Sequence, residues 1–459
     1  MIHRYQKKGL NFVLDVNSGA VHLLDDISYA VSGLLDENMG DTCPQGIIDA
    51  LPDYTADEIR EAYDELYELK KAGQLFAQDD YIDVSRYIPV NAPVKALCLH
   101  VAHDCNLRCQ YCFASTGDFG QGRKIMPPEI AKKAIDFVIA RSGVRHNIEV
   151  DFFGGEPLMA WDTVTQTVDY ARSLEEKYNK KFRFTITTNG LLLDEDKRKY
   201  INENMDNCVL SLDGRREVND EFRKTVAGTG SYDTIVPKFK ALVDERDPNL
   251  DYYARGTFTS HNLDFAEDVL SIADAGFDRL SVEPVTADPG CGYDLTEDDL
   301  PKIEAEYDRL TDIMLERKKE GKPFTFFHFM VDLDQGPCVV KRLRGCGAGY
   351  EYVAVTPDGD IYPCHQFVGK DEFKQGSVLD QSFNMDIAQK FAGMNIYSRP
   401  KCQKCWAKFY CSGGCSAANY NMNHDMNDSY DLGCEMERKR LECAIYLKAM
   451  DKICANQSK

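Results

Sequence analysis

The middle of the chain alternates short apolar runs with longer amphipathic segments. Runs rich in β-branched and aromatic residues predict six strands, at 95–101, 148–153, 182–187, 208–212, 253–259 and 279–285. Apolar residues at helical spacing predict helices between them, at 128–141, 162–178, 195–204, 232–245 and 263–275. Such alternation favours parallel strands joined by right-handed crossovers. The sequence therefore predicts an α/β fold, in the form of a partial (β/α)6 barrel.

The start of the chain has a different pattern. Alternating runs predict three antiparallel strands at 2–7, 11–14 and 20–24, and helical patterns follow at 26–35, 45–51 and 56–71. A small sheet beside three helices resembles a winged helix-turn-helix, but the third helix is acidic and would repel phosphates. A sheet edge can instead bind an extended peptide as an added strand. We expect domains at 1–85, 86–320 and 321–459, the last ending in a helix, with a polar linker at 78–93.

Composition narrows the classes of partner. The net charge of −21 argues against nucleic acid and against an anionic membrane. No apolar run is long enough to cross a bilayer, and Met1–Leu10 lacks the apolar core of a signal peptide. The chain has 17 cysteines, which in a secreted protein would indicate disulfides. Without a signal peptide, they point to a reducing cytoplasm.

Cys105, Cys109 and Cys112 form a C-x3-C-x2-C run directly after the first predicted barrel strand. Three thiolates on one loop can bind three irons of a [4Fe–4S] cluster and leave the fourth iron open to a small molecule. A zinc site is the alternative, with His103 as the local fourth ligand, although paired C-x2-C spacing is usual there. The cysteines alone therefore favour a cluster without excluding zinc.

A second motif follows the second predicted strand. Gly154 and Gly155 would let the backbone approach a ligand closely, and Glu156 could offer its carboxylate to an ammonium group. A plain turn closed by Pro157 is the simpler interpretation of this segment alone. Together, the cysteine loop and this turn resemble the radical S-adenosylmethionine (radical SAM) enzymes. The resemblance implies that S-adenosylmethionine chelates the open iron, and that its reductive cleavage gives a deoxyadenosyl radical that abstracts a substrate hydrogen.

In such barrels the chemistry lies at the carboxyl ends of the strands. The resemblance implies cofactor contacts from Tyr111 in the cysteine loop, from Asn189 after the third strand and from Ser211 after the fourth. Arg223, or less favourably Arg255, could pair with the cofactor carboxylate. Asn-Gly and Asp-Gly are also ordinary turn dipeptides, so each of these polar residues could instead belong to a turn.

The C-terminal third carries seven further cysteines whose order and spacing resemble the SPASM extension of radical SAM enzymes. By that resemblance Cys402, Cys405, Cys411 and Cys434 hold one auxiliary [4Fe–4S] cluster, and Cys346, Cys364 and Cys415 hold another. These two and the loop cluster make three [4Fe–4S] clusters. Cys338 could complete the second set, or its site could stay open for a substrate thiolate. Two zinc knuckles are the alternative.

The opening segment 11–22, with 346–349 and 363–366, narrows the resemblance to the SCIFF maturases, whose substrates carry six cysteines in forty-five residues. The N-terminal unit resembles a RiPP recognition element, which captures the leader of a ribosomally made peptide. The resemblance implies thioether bonds between cysteine sulfurs and carbons of residues such as threonine. It also implies two partners, a cysteine-rich precursor peptide with a leader and an electron donor such as flavodoxin or ferredoxin. A formylglycine-forming sulfatase maturase and a non-enzymatic metal-binding regulator remain alternatives.

Overall fold

The computed structural model describes residues 1–83, 92–333 and 339–457. Residues 84–91 of the predicted linker and Cys338 lie outside the described residues.

The N-terminal unit is a three-stranded antiparallel sheet packed on three helices. Its strands are β1 (Ile2–Lys7), β2 (Leu10–Asp15) and β3 (Val21–Leu24), in that spatial order. Its helices are α1 (Asp26–Ser32), α2 (Gln45–Ala50) and α3 (Ala56–Lys71), and α3 begins with a capping box between Thr55 and Glu58. The elements lie close to their predicted bounds, and the likeness to a winged helix-turn-helix stays a prediction.

One face of this small sheet belongs to the main core of the protein. Tyr5, Phe12 and Leu14 pack in the same cluster as the barrel strands. His3 stacks on Trp406, with ring centroids 3.7 Å apart, and Lys7 forms an ion pair with Asp308. The unit is thus fixed to the rest of the chain by buried contacts, which its sequence pattern does not reveal.

Six parallel strands form the centre of the molecule, in the predicted order. They are β4 (Ala96–His103), β6 (Asn147–Gly154), β7 (Lys181–Thr188), β8 (Asn207–Ser211), β9 (Asp251–Phe258) and β10 (Arg279–Pro284). A two-residue strand, β5 (Lys124–Ile125), pairs with the end of β4. Helices connect the strands: α4 (Pro128–Arg141), α5 (Trp161–Tyr178), α6 (Glu195–Asn204), α7 (Arg216–Phe222), α8 (Tyr232–Asp244), α9 (Phe265–Asp274) and α10 (Leu300–Lys319).

The sheet extends beyond the predicted strands on both sides. β11 (Thr325–Phe326) pairs in parallel with β10, and β12 (Tyr352–Val355) pairs in parallel with β4. From β12 the sheet continues antiparallel through β13 (Asp360–Tyr362), β14 (Gly376–Ser377) and β15 (Ser382–Phe383). The sheet therefore crosses the domain boundary expected at 320, because strands from both regions hydrogen-bond to each other.

Alternate residues of the central strands face the helices and the interior of the barrel. Phe258 of β9 stacks on Phe265 of α9, and Ala254 on the same face is buried. Arg255 has the opposite direction because successive strand residues point to opposite faces. The interior of the barrel is therefore lined partly by charged side chains.

The remaining helices belong to the C-terminal region. They are α11 (Val339–Arg344), α12 (Met385–Gly393), α13 (Pro400–Gln403), α14 (Lys408–Cys411), α15 (Ser416–Asn423) and α16 (Asp431–Gln457). Helix α16 packs along α10 at the side of the barrel. Among the described helices, none combines the length and apolar character needed to cross a membrane.

Candidate functional site

The cysteine loop leaves the carboxyl end of β4, as the sequence predicts. Burial, the charge of Glu156 and those of the neighbouring thiolates raise the pKa of Cys105 to about 12. Burial, partly offset by the Arg223 guanidinium, raises the pKa of Cys109 to about 11. The pKa of Cys112 is also raised by burial. The three thiols are desolvated and interact electrostatically with one another. They lose their protons readily only if a positive charge lies among them. The loop therefore suits a metal centre.

The glycine turn after β6 packs directly against this loop. A side chain on Gly154 would stand 2.2 Å from the carbonyl oxygen of Ala102, and one on Gly155 would stand 2.2 Å from that of Asp104. The Gly155 amide donates a hydrogen bond to the Ala102 carbonyl (2.7 Å). The sequence suggested that the two glycines allow close approach of a ligand. In the structure they allow the turn to pack against the backbone where the cysteine loop begins.

The Glu156 carboxylate is buried and hydrogen-bonded to protein groups. The residue is 1% exposed, and its carboxylate accepts hydrogen bonds from the Thr188 hydroxyl (2.7 Å) and from the amides of Asn189 (2.8 Å) and Leu158 (3.1 Å). Two carboxylate oxygens can accept more than three hydrogen bonds, so the contact with an ammonium group stays a prediction. Glu156 instead ties the turn to the end of β7.

Asn189 lies against the cysteine loop, close to its predicted place. Its side-chain amide donates to the Asn106 side chain (2.8 Å) and to the Cys105 sulfur (3.6 Å). Ser211 ends β8 in register with Arg255 of β9, so the two side chains share the interior face. Arg255 is held by Glu283 at 2.5 Å, which leaves Arg223 as the better candidate for a cofactor carboxylate.

Tyr111, Asp213 and Arg223 form a buried network beside the cysteine loop. The Tyr111 hydroxyl donates to Asp213 (2.7 Å) and accepts from Arg223 (2.7 Å), and Arg223 lies 3.6 Å from Asp213. Arg223 is 8% exposed, and within the described ranges its buried Nε has no acceptor. A buried guanidinium nitrogen without a partner fits a bound anionic group. Sequence reasoning missed Asp213, since an Asp-Gly pair after a strand is typical of a turn.

Four of the C-terminal cysteines line one cavity of about 320 Å³. They are Cys402, Cys405, Cys411 and Cys434. Burial raises the pKa of Cys411 to about 12 and of Cys434 to about 11, so these thiols also favour a metal over ionisation in isolation. The structure thus brings together the set that the SPASM resemblance predicted.

Cys364 is buried beside the other two cysteines of the second set. Burial raises its pKa, and the nearby charges of Cys415 and Cys346 raise it further. The sequence did not single out Arg399. Its guanidinium lies between this set and the set that lines the cavity, because it interacts electrostatically with thiolates of both sets. Arg399 is 3% exposed and donates to the Gly413 carbonyl (2.5 Å). Its buried side chain places one positive charge near thiols of both sets.

The cysteine sets do not converge as ligands of one ion do. Nowhere in the described part of the chain do three or more His, Cys, Asp or Glu side chains meet closely enough to hold a single metal ion. Wider spacing is expected of cluster ligands, because each cysteine of a cubane binds a different iron.

Comparison with known proteins identifies two domains. A model of the radical SAM superfamily matches residues 99–251, and a model of the SPASM iron–sulfur cluster-binding domain matches residues 346–406. The chain carries a radical SAM domain and a SPASM domain. These domains bind S-adenosylmethionine and iron–sulfur clusters, and the matched ranges contain the cysteine loop and four of the seven C-terminal cysteines.

Relatives with the same radical SAM architecture span most of the chain. The cysteine-type anaerobic sulfatase-maturating enzyme of Clostridium novyi (strain NT) is 25% identical over 72% of this chain and 90% of its own length. The structure of native anSMEcpe with bound AdoMet covers 80% of this chain and 100% of its own, with TM-score 0.64 and 21% identity. Streptococcus suis SuiB bound to its precursor peptide SuiA covers 94% of this chain and 98% of its own, with TM-score 0.53 and 16% identity. These two structures show a shared fold.

The Arg223 assignment is testable in the radical SAM site itself. We expect Arg223→Lys to weaken S-adenosylmethionine binding about tenfold, because lysine lacks the Nε–H that faces the unfilled position. Equilibrium dialysis of labelled S-adenosylmethionine against the anaerobic, cluster-reconstituted protein measures the change. Arg216→Lys, at an exposed pair with Asp233, is the matched control. Equal affinity of Arg223→Lys and the unaltered protein would remove Arg223 from the site.

Proposed function

We propose that the protein is a radical SAM maturase that joins cysteine sulfurs to carbons of acceptor residues, such as threonine, in a cysteine-rich precursor peptide. The observation that carries the proposal is the presence of three separate cysteine sets in one chain that also has an N-terminal sheet. When bound, S-adenosylmethionine and its reduced cluster supply abstraction of a carbon-bound hydrogen. SuiB, which shares the fold over nearly the whole chain, was solved with its precursor peptide.

In the proposed reaction, different residues of the chain would bind the cofactor, the auxiliary clusters and the substrate. Cys105, Cys109 and Cys112 would hold the cluster that binds S-adenosylmethionine, with Arg223 on the cofactor carboxylate. Cys402, Cys405, Cys411 and Cys434 would hold one auxiliary cluster. The set Cys346, Cys364 and Cys415 has three assured thiols, and a substrate thiolate would be its fourth ligand. The alternative fourth ligand, Cys338, lies outside the described residues and stays a prediction.

The N-terminal sheet offers an edge for the leader peptide. In the described ranges, β3 pairs with β2 on one side alone, and its Leu23 is exposed. An extended peptide added at this edge would form main-chain hydrogen bonds and cover Leu23.

A charge at this edge is expected to weaken leader binding. Leu23→Glu places a carboxylate where the added strand would lie, so we expect the affinity for a leader-bearing peptide to fall about tenfold. Fluorescence anisotropy of the labelled peptide measures this, and Leu34→Glu, an exposed leucine beyond α1, is the matched control. Cleavage of S-adenosylmethionine alone should not change. Equal loss in both variants would argue against leader capture by β3.

A sulfatase maturase is the second candidate, favoured by the similarity to the Clostridium novyi enzyme. The two functions differ in substrate. The reduced, reconstituted protein should be given either a short cysteine-rich precursor peptide with a leader or a sulfatase fragment with its target cysteine. We expect the peptide to lose two hydrogens per bridge, read by mass spectrometry, with the sulfatase fragment unchanged. Formylglycine in the sulfatase fragment and an unchanged peptide would reverse the assignment.

A further inference from the structure

An ion pair in the barrel interior lies outside every cysteine set. Arg255 of β9 and Glu283 of β10 are on neighbouring strands, and their side chains meet at 2.5 Å. β9 is paired on both sides, β10 pairs with β11 only at Arg279 and Leu280, and the two side chains keep 46% and 34% exposure. They lie on the face of the strands opposite the buried Ala254 and Val282. The pair therefore faces the hollow of the barrel.

The pair lies between two of the cysteine sets, the loop that carries Cys105, Cys109 and Cys112 and the set that contains Cys415. The charge of Arg255 interacts with Tyr111 and Arg223 beside the cysteine loop. The charge of Glu283 reaches Cys415 in the opposite set. A molecule held by this pair would thus lie between the loop of three cysteines and the set with three assured thiols.

The hydrogen-bonding capacity of the pair is only partly used. Arg255 donates to Glu283 through Nε and Nη2, and its Nη1 has no acceptor in the parts of the chain that the structure describes. Burial alone raises the pKa of Glu283, but the Arg255 guanidinium outweighs it and leaves the pKa below its ordinary value. The carboxylate is therefore ionised and can accept further hydrogen bonds from a ligand.

His328 and Arg440 lie beside the pair, with His328 Nε2 3.9 Å from the Glu283 carboxylate. The Arg440 guanidinium donates to His328 Nδ1 (3.4 Å), and His328 Nε2 lies 3.2 Å from the Ser281 hydroxyl. Burial, then the charge of Arg440, lowers the pKa of His328 to about 3, so this ring is neutral. Arg255 and Glu283 together present one donor and one acceptor with no net charge.

We propose that Arg255 and Glu283 bind a backbone amide of the substrate peptide, the Arg255 Nη1 donating to its carbonyl and Glu283 accepting from its N–H. A peptide amide is neutral and carries one acceptor beside one donor, which matches the unused capacity of the pair. A free carboxylate would meet Glu283 and be repelled. This inference rests on the proposed function, in which the substrate is a peptide.

Two small probes isolate the amide contact. The amide probe, 3-mercapto-N-methylpropanamide, has one thiol and one amide, and the ester probe, methyl 3-mercaptopropanoate, keeps the thiol and carbonyl without an N–H. We expect the holoenzyme with S-adenosylmethionine to bind the amide about tenfold more tightly than the ester, because a hydrogen bond to a carboxylate is lost in the ester. Ligand-observed NMR titration under anaerobic conditions measures both affinities.

Glu283→Gln should reduce this preference severalfold, because the glutamine oxygen still accepts a hydrogen bond but carries no charge. Glu149→Gln is the matched control, because Glu149 lies near Arg183 on the same interior face, at the opposite end of the barrel, and should keep the full preference. If Glu283→Gln does not fold, Arg255→Lys provides the test. It keeps a cation beside Glu283 but loses Nη1, so both probes should bind more weakly by a similar factor.

Equal affinity for amide and ester in the unaltered protein, or a preference that is undiminished in Glu283→Gln, would overturn the inference. Failure to detect binding of either probe would also overturn it. These outcomes are independent of the proposed function, since no bridge has to form. A protein that crosslinks its peptide but shows no amide preference refutes only the ion-pair contact. An intact preference without crosslinking refutes only thioether formation.

Discussion

Cleavage of S-adenosylmethionine disappears when Cys105, Cys109 and Cys112 are all replaced by alanine. In the proposed function these thiols are the cluster ligands of the loop, and without a cluster there is no electron to cleave the cofactor. We expect 5′-deoxyadenosine to fall to the uncatalysed background under dithionite. Iron bound at the two C-terminal sets should persist, because their cysteines lie on separate elements.

Chromatography of 5′-deoxyadenosine and an iron assay on the same sample separate the two effects. Cys43→Ala and Cys291→Ala are matched controls, since both cysteines lie outside the three sets, and each should keep full cleavage. Cofactor cleavage by the triple variant would exclude the loop as the cluster site. Loss of all iron would show that the variant is unfolded.

Replacing Cys346, Cys364 and Cys415 together with alanine should abolish peptide crosslinking and leave cofactor cleavage in place. In the proposed reaction the substrate sulfur binds at this set, so its removal prevents bond formation but not hydrogen abstraction. Mass spectrometry of the peptide and chromatography of 5′-deoxyadenosine measure the two steps separately. Crosslinking by this variant would mean that the set has no part in sulfur binding.

Cys338→Ala then distinguishes an open set from a closed one. If a substrate thiolate is the fourth ligand, this variant keeps its resting cluster and crosslinks normally. Addition of peptide to the reduced Cys105/Cys109/Cys112 variant should change the electron paramagnetic resonance signal of the auxiliary clusters, because ligand identity tunes an iron–sulfur centre. A damaged resting cluster in Cys338→Ala, with no effect of peptide, would assign Cys338 as the ligand.

The periodic parts of the sequence predicted the fold well. The predicted helices at 128–141 and 195–204 agree with α4 and α6 residue for residue, because Pro128 begins the first and Asp194 caps the second. The short strands β11 and β12 were not predicted as part of the barrel sheet. Their pairing partners lie far away in the sequence, and pairing of that kind leaves no local pattern.

Side-chain direction was the least predictable feature of the site. Glu156 stands in a motif that suggests ligand binding, yet the strand it follows turns its carboxylate toward Thr188 and Asn189. Asp213 and Arg399 contact residues that are distant in the chain. The spacing of residues within a motif cannot reveal such contacts. The cysteines were easier to assign, because few other uses require so many at fixed spacing.

The pairing of β12 with β4 also determines which fragments of this protein can exist alone. All eight residues of β4 are buried, and β12 covers the side of β4 opposite β6. A fragment cut after residue 320 would lose β12 and expose the unpaired backbone of an apolar strand. Such an edge is a template for strand addition between copies. The fragment would therefore self-associate through β4, so dissection of this enzyme has to proceed by substitution within the full chain.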